Sequence, residues 1–199
     1  MRSCSTIPDP DTLQRMMANP VSRERPSLPT DRDWWVFGYG SLMWNPGFPY
    51  REAQMGLLRG YHRRFCVYSF RYRGTPERPG LVLGLAPGGS CRGMIFRVPA
   101  AQGEPVLDYL WDREMITGVY RPLWLRVSTA EGDKLALAFV ADPSHQQYCR
   151  LDLPATASLI RQGVGQRGPC RDYLINTDRH LRDLGIHDRM LHQLIKLLE

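Results

Sequence analysis

Residues 34–44 read WWVFGYGSLMW. Trp34 to Phe37 make a short apolar run dominated by aromatic side chains, the pattern of a buried strand. Gly38-Tyr39-Gly40-Ser41 breaks that run, and Leu42-Met43-Trp44 resumes it. Two readings fit. One is a plain tight turn. The other is a loop in which glycines free the backbone so that successive N–H groups converge on an anion, with the Ser41 hydroxyl added. Two other glycine loops are excluded. No Lys-Ser/Thr pair follows as a P-loop needs, and a dinucleotide fingerprint would need glycine where Met43 stands. Ser41 also lies outside the G-x-S-x-G pattern of a nucleophile elbow.

Further strands follow this first one. Leu57, Leu58, Tyr61, Phe65, Val67 and Tyr68 predict a long strand region with a bulge at Gly60. RYRGTPERPG (71–80) reads as a loop. Leu81 to Ala86 and Gly93 to Val98 read as strands separated by a turn at PGGS. Trp124 to Thr129 and Leu135 to Ala141 flank AEGD as a hairpin. The C-terminal third is helical: one helix from Pro154 to about Gln162, a second capped by Asn176 or Thr177 and ended by Gly185, and a third from His187 or Asp188. Strands do not alternate regularly with helices, so a compact mixed or antiparallel sheet fits better than a doubly wound parallel one.

The 199 residues, 43% of them hydrophobic, suffice for one core. The expected organisation is an N-terminal extension over 1–33, rich in Pro, Ser, Arg and Asp with at most a short helix around Asp11 to Met17, and one domain over 34–199. No apolar run approaches the ~20 residues a membrane span needs, and no signal-peptide core precedes the domain. A soluble, cytoplasmic protein without a membrane partner is expected. The formal charge of +6 comes almost wholly from arginines spread among acids, not gathered into a stripe. That argues against nucleic acid as the partner and is compatible with a small anionic substrate. Cys4, Cys66, Cys91, Cys149 and Cys170 are scattered, and neither they nor the five histidines show metal-ligand spacing. Reduced thiols and no metal site are expected.

GEPVLDYLWDREM (103–115) predicts a helix with Pro105 in its first turn. Leu107, Leu110, Trp111 and Glu114 share its apolar face, while Asp108, Asp112 and Arg113 point elsewhere. A carboxylate there needs a partner or a proton. Three possibilities stand: an ion pair with Arg63, Arg64 or Arg71; a helix that stops short of Glu114; or a general acid/base whose proton affinity burial has raised.

Taken together, VFGYGSLMWNPGFPY (36–50), RRFCVYSFRYRGTPERPG (63–80), YLWDRE (109–114) with YRP (120–122), and DYLINTDRHLRDLGIHDRMLHQL (172–194) resemble the ChaC-type gamma-glutamylcyclotransferases. Four blocks in order are specific where one alone would be weak. The resemblance implies an α+β fold, a small mixed β-barrel-like sheet with surrounding helices. It also implies cleavage of glutathione to 5-oxoproline and cysteinylglycine without a cofactor. The alternative is a cyclotransferase acting on other gamma-glutamyl peptides or amines. By position, the resemblance makes Glu114 the catalytic acid/base. It makes Gly38, Tyr39, Gly40, Ser41 and Leu42 the substrate-binding loop, and places Tyr148 and Tyr173 near the pocket. Cys170 departs from the pattern, which carries Asn there.

Overall fold

The computed structural model describes Asp9, Asp11, Thr12, Arg15 and residues 21–199. Asp11, Thr12 and Arg15 are helical; the rest of the helix expected at Asp11 to Met17, and Cys4, lie outside the described residues. The chain forms two compact units, each assembled from separated segments. One contains Pro20–Arg63 and Leu85–Asp142, the other Arg64–Gly84 and Pro143–Glu199.

Strands β1 (Trp34–Gly38), β2 (Glu52–Ser69), β3 (Gly80–Val98), β4 (Tyr120–Thr129) and β5 (Gly132–Ala141) close into a barrel in the order β1-β3-β2-β4-β5. The sheet is mixed. β1 runs antiparallel to β3 and parallel to β5, and β4 is antiparallel to β2 and β5. The expected α+β fold with a small barrel is therefore present. The first unit holds β1, β4 and β5 entire, and β2 and β3 run on from it into the second. β5 carries the reason for its own place: Ala136 to Ala141 are all buried, as a strand covered on both faces requires. Trp34 adds an edge-on contact with Trp124, ring centroids 5.9 Å apart.

Two turns differ from expectation. PGGS is not a turn: β3 continues through it, with Gly88 and Gly89 at φ 96° and 69°, and the Gly88 carbonyl lies 2.9 Å from Nδ1 of His62 on β2. Glycine here lets a paired strand take a conformation other residues avoid, without ending it. The AEGD hairpin is tighter than expected, since Thr129 already pairs with Gly132, which has φ 96°.

Helix α1 (Gly103–Glu114) belongs to the first unit. The second unit holds α2 (Leu153–Gln162), the two-residue strands β6 (Val164–Gly165) and β7 (Gly168–Pro169), α3 (Cys170–Asp183) and α4 (Arg189–Leu198). α2 covers the helix expected from Pro154 to about Gln162; it starts one residue earlier, capped by Asp152, which accepts from the Ala155 N–H, and Gly163 follows its end. α3 begins at Cys170, six residues before the expected cap Asn176, because Pro169 starts it directly after the β6–β7 hairpin; Gly185, at φ 69°, follows its end. Asp188 caps α4 through the Met190 and Leu191 N–H groups. Leu174, Leu181, Leu191 and Leu194 are fully buried. Each contributes about 1.5–3 kcal/mol to the packing of these helices. Among the described residues no helix is long and apolar enough to cross a membrane.

Candidate active site

The glycine loop leaves the end of β1 and closes in a 3-10 turn over Ser41–Met43. The Met43 N–H donates to the Gly40 carbonyl at 2.8 Å, and the Asn45 N–H to the Ser41 carbonyl at 2.9 Å. The N–H groups of Ser41 and Leu42 precede the turn's first internal bond, so they stand at its open end. Tyr39, Gly40 and Leu42 are buried and Ser41 is half-buried.

Conformational freedom is not what Gly38 supplies. Neither Gly38 nor Gly40 has positive φ. A Cβ on Gly38 would lie 3.1 Å from the Leu42 Cβ, so the missing side chain lets the turn fold back on the strand end. Gly93 does the same from β3, where a Cβ would come within 2.3 Å of the Gly38 carbonyl oxygen.

Arg63, only 5% exposed, supports the loop from β2. Its Nε donates to the Tyr39 carbonyl at 2.5 Å and one Nη to the Arg92 carbonyl at 2.7 Å. A guanidinium is the cation best suited to such a place, since its planar fork satisfies several acceptors at once.

Glu114 ends α1. Val106, Leu107 and Leu110 on that helix are buried, and the Glu114 side chain is 16% exposed. The helix therefore does not stop short of it. Its ion-pair partner is Arg113, with Nε 3.3 Å from Oε1, and not Arg63, Arg64 or Arg71. Burial raises the proton affinity of the Glu114 carboxyl above the ordinary carboxylate range, and the Arg113 charge partly opposes the rise.

Arg113 does not point away. Its Nη2 donates to Ser41 Oγ at 2.9 Å, and its Nη1 to the Asn45 carbonyl and the Tyr109 hydroxyl, both at 2.8 Å. One guanidinium thus joins the carboxylate of α1 to the serine of the glycine loop. Ser41 accepts from it and keeps its own hydroxyl hydrogen to donate. The arrangement offers a sheltered carboxylate able to take and return a proton, beside a hydroxyl and open backbone donors for an anionic or developing negative oxygen.

Tyr148 and Tyr173 belong to the other unit. Tyr148 pairs with Val67 of β2, and burial raises its phenol's proton affinity, with the nearby Arg64 and Arg150 opposing. Tyr173 sits in the first turn of α3, edge-on to Phe65 at 5.8 Å, with the Arg73 guanidinium over its ring at 5.1 Å.

The sequence offers Arg63 only as a possible ion-pair partner of Glu114 and turns Arg113 away from the apolar face, so neither is read there as holding the glycine loop. Arg113 lies four residues after Tyr109, the spacing of helix neighbours, which was the available signal. Arg63 shares the alternating strand face of Phe65 and Val67, so burial was legible there while its partners were not.

The family model for ChaC-like protein matches residues 34–199. The chain is 40% identical over 164 residues to the glutathione-specific gamma-glutamylcyclotransferase of Escherichia coli (strain K12), covering 81% of this chain and 71% of that one. It is 34% identical to the protein of the same name from Schizosaccharomyces pombe, over 79% of this chain and 87% of that one. In fold it is similar to a crystal structure of a yeast gamma-glutamyl cyclotransferase specific to glutathione, with a TM-score of 0.77 at 21% identity, over 84% of this chain and 96% of that one. A family match running from the first barrel strand to the last residue, with relatives this similar over four-fifths of the chain, makes it a member of the ChaC-like family.

Proposed function

We propose that this protein is a glutathione-specific gamma-glutamylcyclotransferase acting in the cytoplasm, with residues 34–199 as the catalytic domain and 1–33 as an extension. The observation that carries this reading is the link of Glu114 to Ser41 of the glycine loop through Arg113. The names of the relatives supply the substrate.

Glutathione carries its own nucleophile. The α-amine of its glutamyl residue attacks the γ-carbonyl carbon, forming the N–C bond of a five-membered ring. The C–N bond to cysteine then breaks, releasing 5-oxoproline and cysteinylglycine. No water is consumed. Holding amine and carbonyl in contact accounts for up to roughly 7–11 kcal/mol of barrier lowering in well-aligned intramolecular reactions. A free α-amine has a pKa of about 8, so it is mostly protonated at neutral pH and must lose a proton before attack. That first proton passes to solvent; Glu114 takes the second, which the nitrogen sheds as the N–C bond forms, and delivers it to the departing cysteinyl nitrogen, a contribution of about 10²–10⁴-fold. Ser41 and the open N–H groups of Ser41 and Leu42 hold the substrate carboxylate or the oxyanion. The family resemblance also gives Tyr148 and Tyr173 to substrate binding, and Y148F and Y173F test that through KM.

The test is to incubate the purified protein with glutathione and quantify 5-oxoproline and cysteinylglycine in equal amounts. Folded protein that releases neither refutes the proposal. A panel including γ-glutamyl-alanine decides between glutathione and other γ-glutamyl compounds.

A further inference from the structure

The geometry points to Arg113 as a positioning residue for this reaction: its guanidinium fixes the Glu114 carboxylate relative to the glycine loop. The inference rests on the proposed cyclotransferase reading and extends it to a residue that does not itself exchange a proton with substrate.

Three features carry it. First, all three guanidinium nitrogens are engaged: Nε by Glu114, Nη2 by Ser41, and Nη1 by the Asn45 carbonyl, the Pro46 carbonyl at 3.3 Å and the Tyr109 hydroxyl. A rigid planar fork held this way has one orientation, and Nε and Nη2 are part of one plane. The spacing between the Glu114 carboxylate and Ser41 Oγ therefore follows from the fork, not from the flexible glutamate side chain alone.

Second, the fork is itself held. The Tyr109 ring lies under it, 5.9 Å from the guanidinium carbon. The Tyr109 hydroxyl occupies the space beside Gly47, where a Cβ would come within 2.0 Å of it; Gly47 is at φ 75°. The turn after the glycine loop is thus shaped around the Tyr109–Arg113 pair.

Third, the charges balance in the sense catalysis needs. Burial works against an ionised Glu114, and Arg113 is the charge that works for it. The other charged or titratable groups on α1 are Tyr109, bonded to Arg113, and Glu104, Asp108 and Asp112, with Asp108 paired to Arg25 at 2.6 Å; Arg63 and Tyr39 stand on the loop side. A base too strongly raised would stay protonated at working pH, and one not raised would be a poor acid for the leaving nitrogen.

The experiment compares wild type, R113Q and R113K by two readouts. One is the pH profile of kcat/KM with glutathione. Substrate ionisation is common to all three profiles, so a moved acid limb belongs to the enzyme. The other needs no substrate: the titration midpoint of Glu114 by carbon-13 labelling of glutamate carboxyls, with the signal assigned by its loss in E114Q. In R113Q the midpoint and the acid limb both move up by about one pH unit or more, the size of effect a removed neighbouring charge has. R113K keeps the charge but not the fork, so its midpoint stays within about half a unit while kcat falls about tenfold or more. R113Q with an unmoved midpoint, or R113K with unchanged kcat, overturns the proposal. An R113Q chain that does not fold leaves the decision to R113K. If the wild type releases no 5-oxoproline, the functional reading falls, and the carbon-13 midpoints still decide whether Arg113 governs Glu114.

Discussion

Glu114 is a carboxylate whose surroundings favour its protonated form, and that has a cost outside catalysis. Its folded-state proton affinity is raised by burial, with Arg113 partly opposing. Between the ordinary glutamate pKa, about 4.3, and the raised folded value, the native state binds more proton than the unfolded chain, so stability falls as pH climbs through that window. E114Q has no such group. We predict that E114Q gains stability relative to wild type as pH rises from about 5 to about 8, while it loses turnover. Urea denaturation at the two pH values checks the first part, and 5-oxoproline release checks the second. A stability difference that is flat with pH would mean that Glu114 is not held in a raised state. At this scale the sequence was informative in a limited way. The apolar face of α1 placed Glu114 inward, because periodicity records which side of a helix is buried. It did not find the partner, because a long arginine side chain can reach well away from its own position on the helical wheel.

At the start of α3 a buried thiol ties the helix to β3. Cys170 is buried, and its Sγ donates to the Leu81 carbonyl at 2.9 Å while accepting from the Leu81 N–H at 3.4 Å. An asparagine amide likewise offers one donor and one acceptor end. The thiol's own proton affinity is pushed up to about 11, chiefly by burial, so it stays a neutral donor at neutral pH. C170A should leave two backbone groups of β3 without these partners and cost about 1–3 kcal/mol, whereas C170N should retain the stability of wild type or exceed it. Thermal melts of the two variants decide this; C170A no less stable than C170N would show that the contacts carry no weight. The elements most legible in sequence are those whose ends are set by local chemistry, such as α2 with Pro154 in its first turn and Gly163 after its end, and α4 starting at His187 or Asp188. Those misread depend on neighbours distant in sequence or on the preceding turn: β3 runs through PGGS, where His62 of β2 lies against the Gly88 carbonyl, and α3 starts at Cys170 directly after the β6–β7 hairpin. Local glycine and cap signals are silent on both.

At the scale of the molecule, neither compact unit is one stretch of chain, so each depends on segments far apart in sequence. Within the first unit, Val21, Arg23 and Arg25, which precede the family match, are part of the packing. The Val21 N–H donates to the Thr117 carbonyl, and Gly118 has no room for a Cβ because the Val21 carbonyl oxygen would lie 2.1 Å away. Arg23 joins the Asp142 carboxylate at 2.6 Å and the Gly118 carbonyl at 3.0 Å, and Arg25 joins Asp108 at 2.6 Å beside the Trp111 ring. These contacts grip α1 and the turn directly after Glu114. The two arginines are not equivalent. Arg23 and Asp142 have side chains only 19% and 9% exposed, so their bond is charge-assisted and sheltered, worth about 1.5–3 kcal/mol. Arg25 and Asp108 are 44% and 61% exposed, where such pairs are screened and contribute about 0–1 kcal/mol. For a chain of this size each kcal/mol moves Tm by about 2–4 °C. R23A should therefore lower Tm by about 3–12 °C, and R25A by no more than about 4 °C. Calorimetry on both variants tests the ranking, and an R25A shift as large as that of R23A would show that the exposed end of this segment, not the sheltered one, anchors it.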